Sequence, residues 1–387
     1  MTFLRSERVA AVLLVLAAAL GVGLANSPIG PSLATVRDAH LDLPWLGLEL
    51  SVGHWITDGL LAVFFFLAAI ELRHELTHGE LDTPRKALVP AIAAVGGVLV
   101  PALVYLAFVR DPALVDGWPI PTATDIAFAL GVLALVGRGL PSRVRALLLA
   151  LAVIDDLIAI LLIAVLFTRD LQLVPLIAAV PVVLAFGFLS YRVRGRAAPV
   201  VVAALIALGL AAWVLVHLSG IHSTIAGVAL GLAMAPAVAG PTRHALEPWS
   251  NGVILPVFAF TASLVVIPAV GISGLSPVFW GIAIALPVGK LIGITGGALI
   301  AGRLQPKSER TAAIPIADVL VVATLGGIGF TVSLLMNDLA FSAPHPVNAE
   351  GTLAVLCGSI CAALIGAVVT GLRARALRRR THTRPAL

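Results

Sequence analysis

Long apolar stretches alternate with short polar segments along almost the whole chain. A membrane-spanning helix needs about 20 consecutive, mostly apolar residues. On this rule the pattern predicts an all-α polytopic membrane protein with twelve spanning helices and no soluble domain. The predicted helices, numbered one to twelve in chain order, lie near 9–26, 55–76, 87–109, 120–136, 142–168, 172–191, 198–217, 221–237, 250–271, 277–302, 312–341 and 350–374.

The composition supports this interpretation and excludes several functions. Of the 387 residues, 60% are hydrophobic and only 12% are charged, whereas soluble domains carry about 25% charged residues. The net charge of +5 comes from short basic clusters between apolar runs, which is not typical of nucleic-acid binding. No nucleotide-binding or metal-binding motif is present, so we expect no cofactor. Cys357 and Cys361 lie one helical turn apart in an apolar run, which favours packing over a disulfide or a metal site.

The distribution of basic residues predicts the orientation. With the N-terminus in the cytoplasm, almost every Lys and Arg falls on the cytoplasmic side, as the positive-inside rule requires. The exceptions are Arg37, Arg110 and Arg169 outside and Lys290 within a helix. Both termini are therefore predicted to be cytoplasmic. We expect residues 1–387 to form a single transmembrane domain, with 373–387 as a basic cytoplasmic tail.

The longest predicted outside segment, residues 27–54, is a candidate for a β-hairpin. Its residues 46–51 alternate between apolar and small or polar side chains, which is typical of a strand.

Two adjacent aspartates, Asp155 and Asp156, lie in the middle of the apolar run 146–167. One carboxylate at the bilayer centre costs about 2.5–3.5 kcal/mol, so such residues usually mark an ion or proton path. The alternative is a protonated pair that serves only helix packing. Hard oxygen ligands suit Na⁺ or Li⁺, and Thr124 is a candidate additional ligand. Because two close carboxylates repel each other, the same pair could bind either protons or a small cation.

Helices four and eleven are predicted to be interrupted. Two prolines precede Thr124 and Asp125, and the apolar run 126–136 is too short to span alone. An ordinary helix start at the membrane surface is the alternative there. Helix eleven contains glycines in mid-span, which permit either unwinding or close packing: Gly326, Gly327 and Gly329. Interruptions at corresponding places in two halves indicate an inverted-repeat transporter, here with helices 3–5 and 10–12 as repeats.

Lys290 lies inside helix ten, about ten residues from either end of the apolar stretch. A lysine at that depth should meet a carboxylate, and Asp155 and Asp156 are both candidates. The pair could be purely structural. Alternatively, the lysine amine could compete with a cation for the carboxylate.

Several segments together resemble the NhaA-type bacterial sodium/proton antiporters. They are residues 58–66, 121–131, 152–157, 289–290 and 327–331, and the resemblance covers nearly the whole chain. It implies that helices four and eleven cross at mid-membrane, with an ion site at Asp155 and Asp156. It also implies that Asp125 and Lys290 balance the facing helix dipoles.

The resemblance further implies the activity and its setting. Two protons would move inward for each Na⁺ or Li⁺ moved outward, across the inner membrane of a bacterial cell, with activation at alkaline pH. It suggests a homodimer built through the outside hairpin, with the lipid bilayer as the other partner. Candidate pH-responsive residues are Glu71, His74, Glu75, His222, His244 and Glu247. Because residues 71–75 and 243–249 depart from the familiar pattern, we expect a shifted pH set point.

Two other functions remain as alternatives. An intramembrane aspartyl protease also needs two membrane aspartates, but on separate helices, whereas this doublet lies on one helix. A passive cation channel usually builds its filter from several subunits. Lysine beside the carboxylates argues against steady cation flow.

Overall fold

The computed structural model describes residues 6–79, 81, 83–168, 170–193, 198–267, 271–304, 314–342 and 347–382. Within these ranges the protein is helical and contains no β-strand. Its helices are α1 Glu7–Ala25, α2 Gly30–Asp38, α3 Val52–His78, α4 Pro84–Phe108, α5 Ile126–Val136, α6 Ser142–Leu166, α7 Leu173–Ser190, α8 Ala198–Leu218, α9 Thr224–Ala233, α10 Pro236–Trp249, α11 Pro277–Leu304, α12 Ile316–Gly326, α13 Phe330–Ala340 and α14 Asn348–His382. Helix α10 continues through a π-helical turn, Ser250–Ile254, into Leu255–Ala262.

The described helices make the chain a multi-pass membrane protein. Eight of them are long and apolar enough to cross a membrane, and two bent helix pairs raise the number of candidate spans to ten. The pairs are Pro112–Thr122 with α5, and α12 with α13. The predictions at 221–237 and 250–271 have no counterpart of that length. Helix α9 ends at Ala233, before Pro236, and α10 carries Arg243, His244 and Glu247 in its second half. The count of twelve therefore stays a prediction.

The chain divides into two compact units. Unit 1 comprises Leu16–His74 and Ile160–Leu264 among the described residues, and unit 2 comprises Ser6–Val15, Glu75–Ala159 and Val265 onward. In unit 1, α9 packs closely on α3, because a Cβ at Gly227 or Gly231 would collide with the backbone of Ala62 or Phe66. Small residues allow helix backbones to approach in this way within a membrane.

Within residues 27–54 of unit 1, a bridged turn takes the place of the predicted hairpin strands. Isolated antiparallel bridges join His40 to Ser51 and Leu43 to Leu48. The chain reverses at the 3₁₀ turn Pro44–Leu46, followed by Gly47 at φ +68°. That left-handed conformation favours glycine. The antiparallel pairing is therefore present, but it is too short to make a strand.

In unit 2, helices α4 and α11 lie backbone to backbone. A Cβ at Gly96 would collide with the carbonyl of Gly293, and a Cβ at Gly289 would stand 2.9 Å from Cα of Pro101. This contact and the π-helical turn Ala285–Gly289 fix the position of Lys290, the next residue. Lys290 is completely buried.

Candidate ion site

The two interrupted helices meet at their breaks. The first break, residues 123–125, separates the turn Ile120–Thr122 from α5 with a bend of 43°, and the second separates α12 from α13 with a bend of 45°. The backbone N–H of Asp125 donates to the carbonyl of Ile328 at 2.6 Å. The Ser333 hydroxyl donates to the carbonyl of Ile120 at 2.7 Å. Each break therefore satisfies backbone groups of the other, as non-helical backbone inside a membrane protein must.

Asp125 caps two helices at once. One carboxylate oxygen accepts from Phe128 N at 2.9 Å, in the first turn of α5. The other accepts from the backbone N–H and the hydroxyl of Thr331, at 3.2 and 2.7 Å, in the first turn of α13. A helix N-terminus carries a partial positive charge, so both helix ends stabilise the carboxylate.

Lys290 lies beside Asp155 and Thr124. Its Nζ is 2.5 Å from Oδ2 of Asp155 and 3.0 Å from Oγ1 of Thr124. Of the two partners allowed by the sequence, Asp155 is the one paired with the lysine. Oγ1 of Thr124 is also 2.7 Å from both Asp155 Oδ2 and the carbonyl of Gly326, at the end of α12. A hydroxyl has one proton, so Thr124 donates to one of these oxygens at a time.

The carboxylate pair is only partly satisfied. Asp155 Oδ1 is buried and has no hydrogen-bond partner within the described ranges. Asp156 is 8% exposed, and as the next helical residue its side chain points about 100° away. No three His, Cys, Asp or Glu side chains converge to hold a metal in the described part of the chain. A cation at Asp155 and Asp156 would therefore need hydroxyl, carbonyl or water oxygens as further ligands.

The three glycines at the break between α12 and α13, which were predicted to interrupt the eleventh helix, serve close packing. Gly327 and Gly329 have φ values of −74° and −89°, which any residue can adopt. However, a Cβ at Gly327 would stand 2.7 Å from the carbonyl of Leu286, and one at Gly326 would stand 2.6 Å from Cδ1 of Ile294. A Cβ at Gly329 would collide with the Ser333 hydroxyl.

One charged residue near this site was missed by sequence reasoning. Asp318, at the start of α12, has a fully buried side chain. It accepts from Arg143 of α6, at 3.0 and 2.9 Å, and from Arg373 of α14, at 2.7 Å. These contacts attach the first half of the interrupted helix to the helix that carries Asp155. The signal available in the sequence was an aspartate near the start of an apolar run.

Three of the candidate pH-responsive residues lie in α3. Glu71 pairs with Arg243 of α10 at 2.9 Å, and both belong to unit 1. His74 is exposed at the end of unit 1, and Glu75 is buried in unit 2. Arg73, between these residues, donates to the carbonyls of Leu232 and Met234, at the end of α9.

His222 lies in a second titratable group of unit 1. Its Nε2 is 3.5 Å from Oδ1 of Asp58, and Nδ1 of His217 is 4.0 Å from the other oxygen of that carboxylate. Neither Asp58 nor His217 was singled out from the sequence. In α10, His244 is exposed and Glu247 is half-buried.

A multi-pass helical protein with buried carboxylates and a buried lysine at two helix breaks belongs to the class of secondary transporters, not of enzymes. The family model described as Na⁺/H⁺ antiporter 1 matches residues 1–370. The chain therefore belongs to the Na⁺/H⁺ antiporter 1 family.

Individual relatives are similar over nearly their full length. The Na⁺/H⁺ antiporter NhaA 2 of Clavibacter michiganensis is 55% identical over 382 residues, which is 98% of this chain and 93% of the relative. The NhaA of Tropheryma whipplei is 44% identical over 95% of this chain and 94% of its own. The NhaA of Thermobifida fusca is 45% identical over 96% and 93%, respectively.

Proposed function

We propose that this protein is an electrogenic antiporter that exchanges cytoplasmic Na⁺ or Li⁺ for external protons by alternating access. One observation carries the proposal: Lys290 is paired with Asp155 Oδ2 while Asp155 Oδ1 has no hydrogen-bond partner in the described chain. A buried carboxylate with one charged partner and one unsatisfied oxygen can exchange that partner for another cation. The relatives named as Na⁺/H⁺ antiporters support Na⁺ as this cation.

The exchange follows from competition at one place. Protons on the carboxyl groups, or the Lys290 ammonium on Asp155, exclude the cation. When the carboxylates lose their protons, Na⁺ binds between Asp155 and Asp156, with the Thr124 hydroxyl as a further ligand. Two protons move inward for each Na⁺ moved outward, so each cycle carries one net positive charge inward. No cofactor takes part; the substrates are Na⁺, Li⁺ and H⁺.

The proposal includes a membrane arrangement. Twelve spanning helices form a single transmembrane domain in the bacterial inner membrane, with both termini and the basic tail 373–387 in the cytoplasm. In the numbering of the predicted spans, spans 3–5 and 10–12 are inverted repeats, and the interrupted spans four (near 120–136) and eleven (near 312–341) cross. The two bent pairs, one in the middle member of each repeat, support this. Two copies associate through the bridged outside segment, and groups such as Glu71 and His222 adjust activity to pH.

The test is Na⁺-driven proton flux in proteoliposomes that contain the purified protein. We expect addition of Na⁺ or Li⁺ to dissipate an imposed proton gradient. The exchange should also generate a membrane potential, because each cycle moves one net positive charge in the direction of the protons. Proton leakage without added cation would support a passive channel instead. Cleavage of a membrane peptide without ion flux would support an intramembrane protease.

A further inference from the structure

Asp318, in the first turn of α12, is held between two other helices of unit 2. Its Oδ2 lies 3.0 and 2.9 Å from Nε and Nη2 of Arg143, in the first turn of α6. Its Oδ1 accepts from Nε of Arg373, in α14, at 2.7 Å. Each oxygen of this fully buried carboxylate is thus occupied by a different arginine. These three residues, which we call the Asp318 junction, tie the start of α12 to α6 and α14.

Helix α12 also contacts α6 at its other end. A Cβ at Gly326, the last residue of α12, would stand 3.7 Å from Cδ2 of Leu151 in α6. Asp318 and Gly326 are eight residues apart, and so are Arg143 and Leu151. Each pair therefore covers about 12 Å of helix. Because the two spacings agree, α12 follows α6 in the same direction, and the junction sets how far along α6 it lies.

The contacts with α14 show the same agreement in the opposite direction. A Cβ at Gly366 of α14 would stand 2.8 Å from Cδ2 of Leu325 and 3.6 Å from its backbone nitrogen. Leu325 follows Asp318 by seven residues, and Gly366 precedes Arg373 by seven residues. Seven residues are about two helical turns, so each pair lies on one face of its helix. The junction therefore also fixes α12 along α14.

The position of α12 along these helices decides where one group of the ion site lies. The carbonyl of Gly326 is 2.7 Å from Oγ1 of Thr124, and the same Oγ1 is 2.7 Å from Oδ2 of Asp155. Asp155 follows Leu151 by one turn of α6. A displacement of the carbonyl by about 0.5 Å away from Thr124 would exceed the usual length of a hydroxyl hydrogen bond. The hydroxyl would then lose one of the contacts that orient it at the ion site.

We propose that the Asp318 junction positions the ion site: it holds α12 in register with α6 and α14, and thereby orients the Thr124 hydroxyl beside Asp155. This inference rests on the proposed exchange of Na⁺ at Asp155. Asp318 itself lies about 12 Å along α12 from Gly326 and acts only through that helix. Groups that orient metal ligands from behind typically change affinity or activity 10–100-fold when they are replaced. Loss of the junction weakens cation binding more than turnover, because both carboxylates of the ion site remain.

The test measures Na⁺-driven proton flux in proteoliposomes over a range of Na⁺ concentrations at one fixed pH. The amount of folded protein and the melting temperature are measured for each variant in parallel. The variants are Asp318→Asn, Asp318→Glu, Arg143→Gln and the double variant Asp318→Asn/Arg143→Gln. The control is Asp38→Asn, which makes the same chemical change in an exposed ion pair of unit 1.

We expect Asp318→Asn to raise the apparent KM for Na⁺ about ten-fold, with a much smaller change in the maximal rate per folded transporter. Asp318→Glu keeps the charge and should recover part of the affinity. Arg143→Gln should raise KM several-fold but less, because Arg373 still holds the carboxylate. The double variant should match Asp318→Asn, since both changes remove the same contact and their effects do not add. Asp38→Asn should leave KM and rate unchanged.

The outcomes separate this inference from the proposed function. Flux in the unmodified protein with an unchanged KM in Asp318→Asn would overturn the positioning role and leave the antiporter proposal standing, even if the variant melts at a lower temperature. Absence of Na⁺-driven flux in the unmodified protein would overturn both. If Asp318→Asn does not fold, Arg143→Gln decides, because that side chain is 50% exposed and its loss leaves one arginine on Asp318. A raised KM would then support the positioning role, and an unchanged KM would overturn it.

Discussion

Replacing Lys290 by alanine is the sharpest perturbation of the candidate ion site. The lysine amine and the Asp155 carboxylate are both completely buried and 2.5 Å apart. Removing one member of a buried ion pair typically costs about 3–5 kcal/mol, because the remaining charge loses its partner and cannot regain water. For a unit of this size that corresponds to a fall in melting temperature on the order of 10 °C.

The carboxylate left behind has one way to reduce this cost. A neutral carboxyl group needs no counter-charge, so protonation of Asp155 removes most of the penalty. The deficit in melting temperature of Lys290→Ala should therefore be larger at alkaline than at acid pH. For the same reason, the double variant Lys290→Ala/Asp155→Asn should recover part of the lost stability, since no charge is left unpaired.

The assay is thermal unfolding of the purified variants in detergent across a range of pH. Lys290→Arg, which keeps the positive charge, serves as the matched control and should lose less stability than the alanine variant. A Lys290→Ala protein that melts with the unmodified protein at every pH would refute the buried pair. The buried pair would also be refuted if the double variant Lys290→Ala/Asp155→Asn lost as much stability as the two single variants added together.

Four further predictions follow from the geometry. Asp156→Asn should abolish Na⁺-driven proton flux at normal expression and folding, because the amide keeps the shape but loses the charge and the proton; normal flux would remove Asp156 from the ion site. Asp318→Asn should lower stability by about 1.5–3 kcal/mol through lost charge-assisted hydrogen bonds, while Asp38→Asn, in an ion pair with exposures of 31% and 62%, should be nearly neutral in thermal melts. Gly327→Ala should destabilise the protein by about 1–3 kcal/mol, because the added Cβ would press on the Leu286 carbonyl. Gly296→Ala, whose added Cβ would have no other atom within 4 Å, should melt at the same temperature as the unmodified protein. Apparent Na⁺ affinity in calorimetric titrations should weaken steeply from about pH 8.5 to 6.5, because protons compete with the cation for the same carboxylates; a flat profile would contradict that competition.

The residues around Asp155 could be predicted because charge inside an apolar run is rare and expensive. Asp155 and Lys290 lie in predicted spans, so each had to have a partner, and few candidates existed. The helix breaks were predictable for a similar reason, since prolines and glycines limit where a helix can continue. The sequence could not distinguish Asp155 from Asp156 as the lysine's partner, because that choice depends on the rotation of α6 about its axis.

The contacts of Asp318 were beyond sequence reasoning for a different reason. Its arginine partners are 175 and 55 residues away along the chain. Arg143 lies near a helix end, where basic residues are ordinarily solvated, and its side chain is indeed 50% exposed. Only the packing of α6, α12 and α14 shows that two such arginines converge on one buried carboxylate. The break between α9 and α10, which shortened the predicted span 221–237, likewise depends on where the chain turns and not on its mean composition.

Asp125, at a helix break, and Asp155, in the middle of the neighbouring helix α6, show how one residue type can serve two purposes. Both carboxylates are buried, but their partners differ in kind. Asp125 is held by backbone N–H groups and a hydroxyl of two helix starts, which cannot leave without unwinding those helices. Asp155 is held by an ammonium on a flexible side chain and by a hydroxyl that has an alternative acceptor, and its second oxygen has no hydrogen-bond partner among the described residues. The first arrangement therefore fixes a charge in place, and the second permits one cation to replace another.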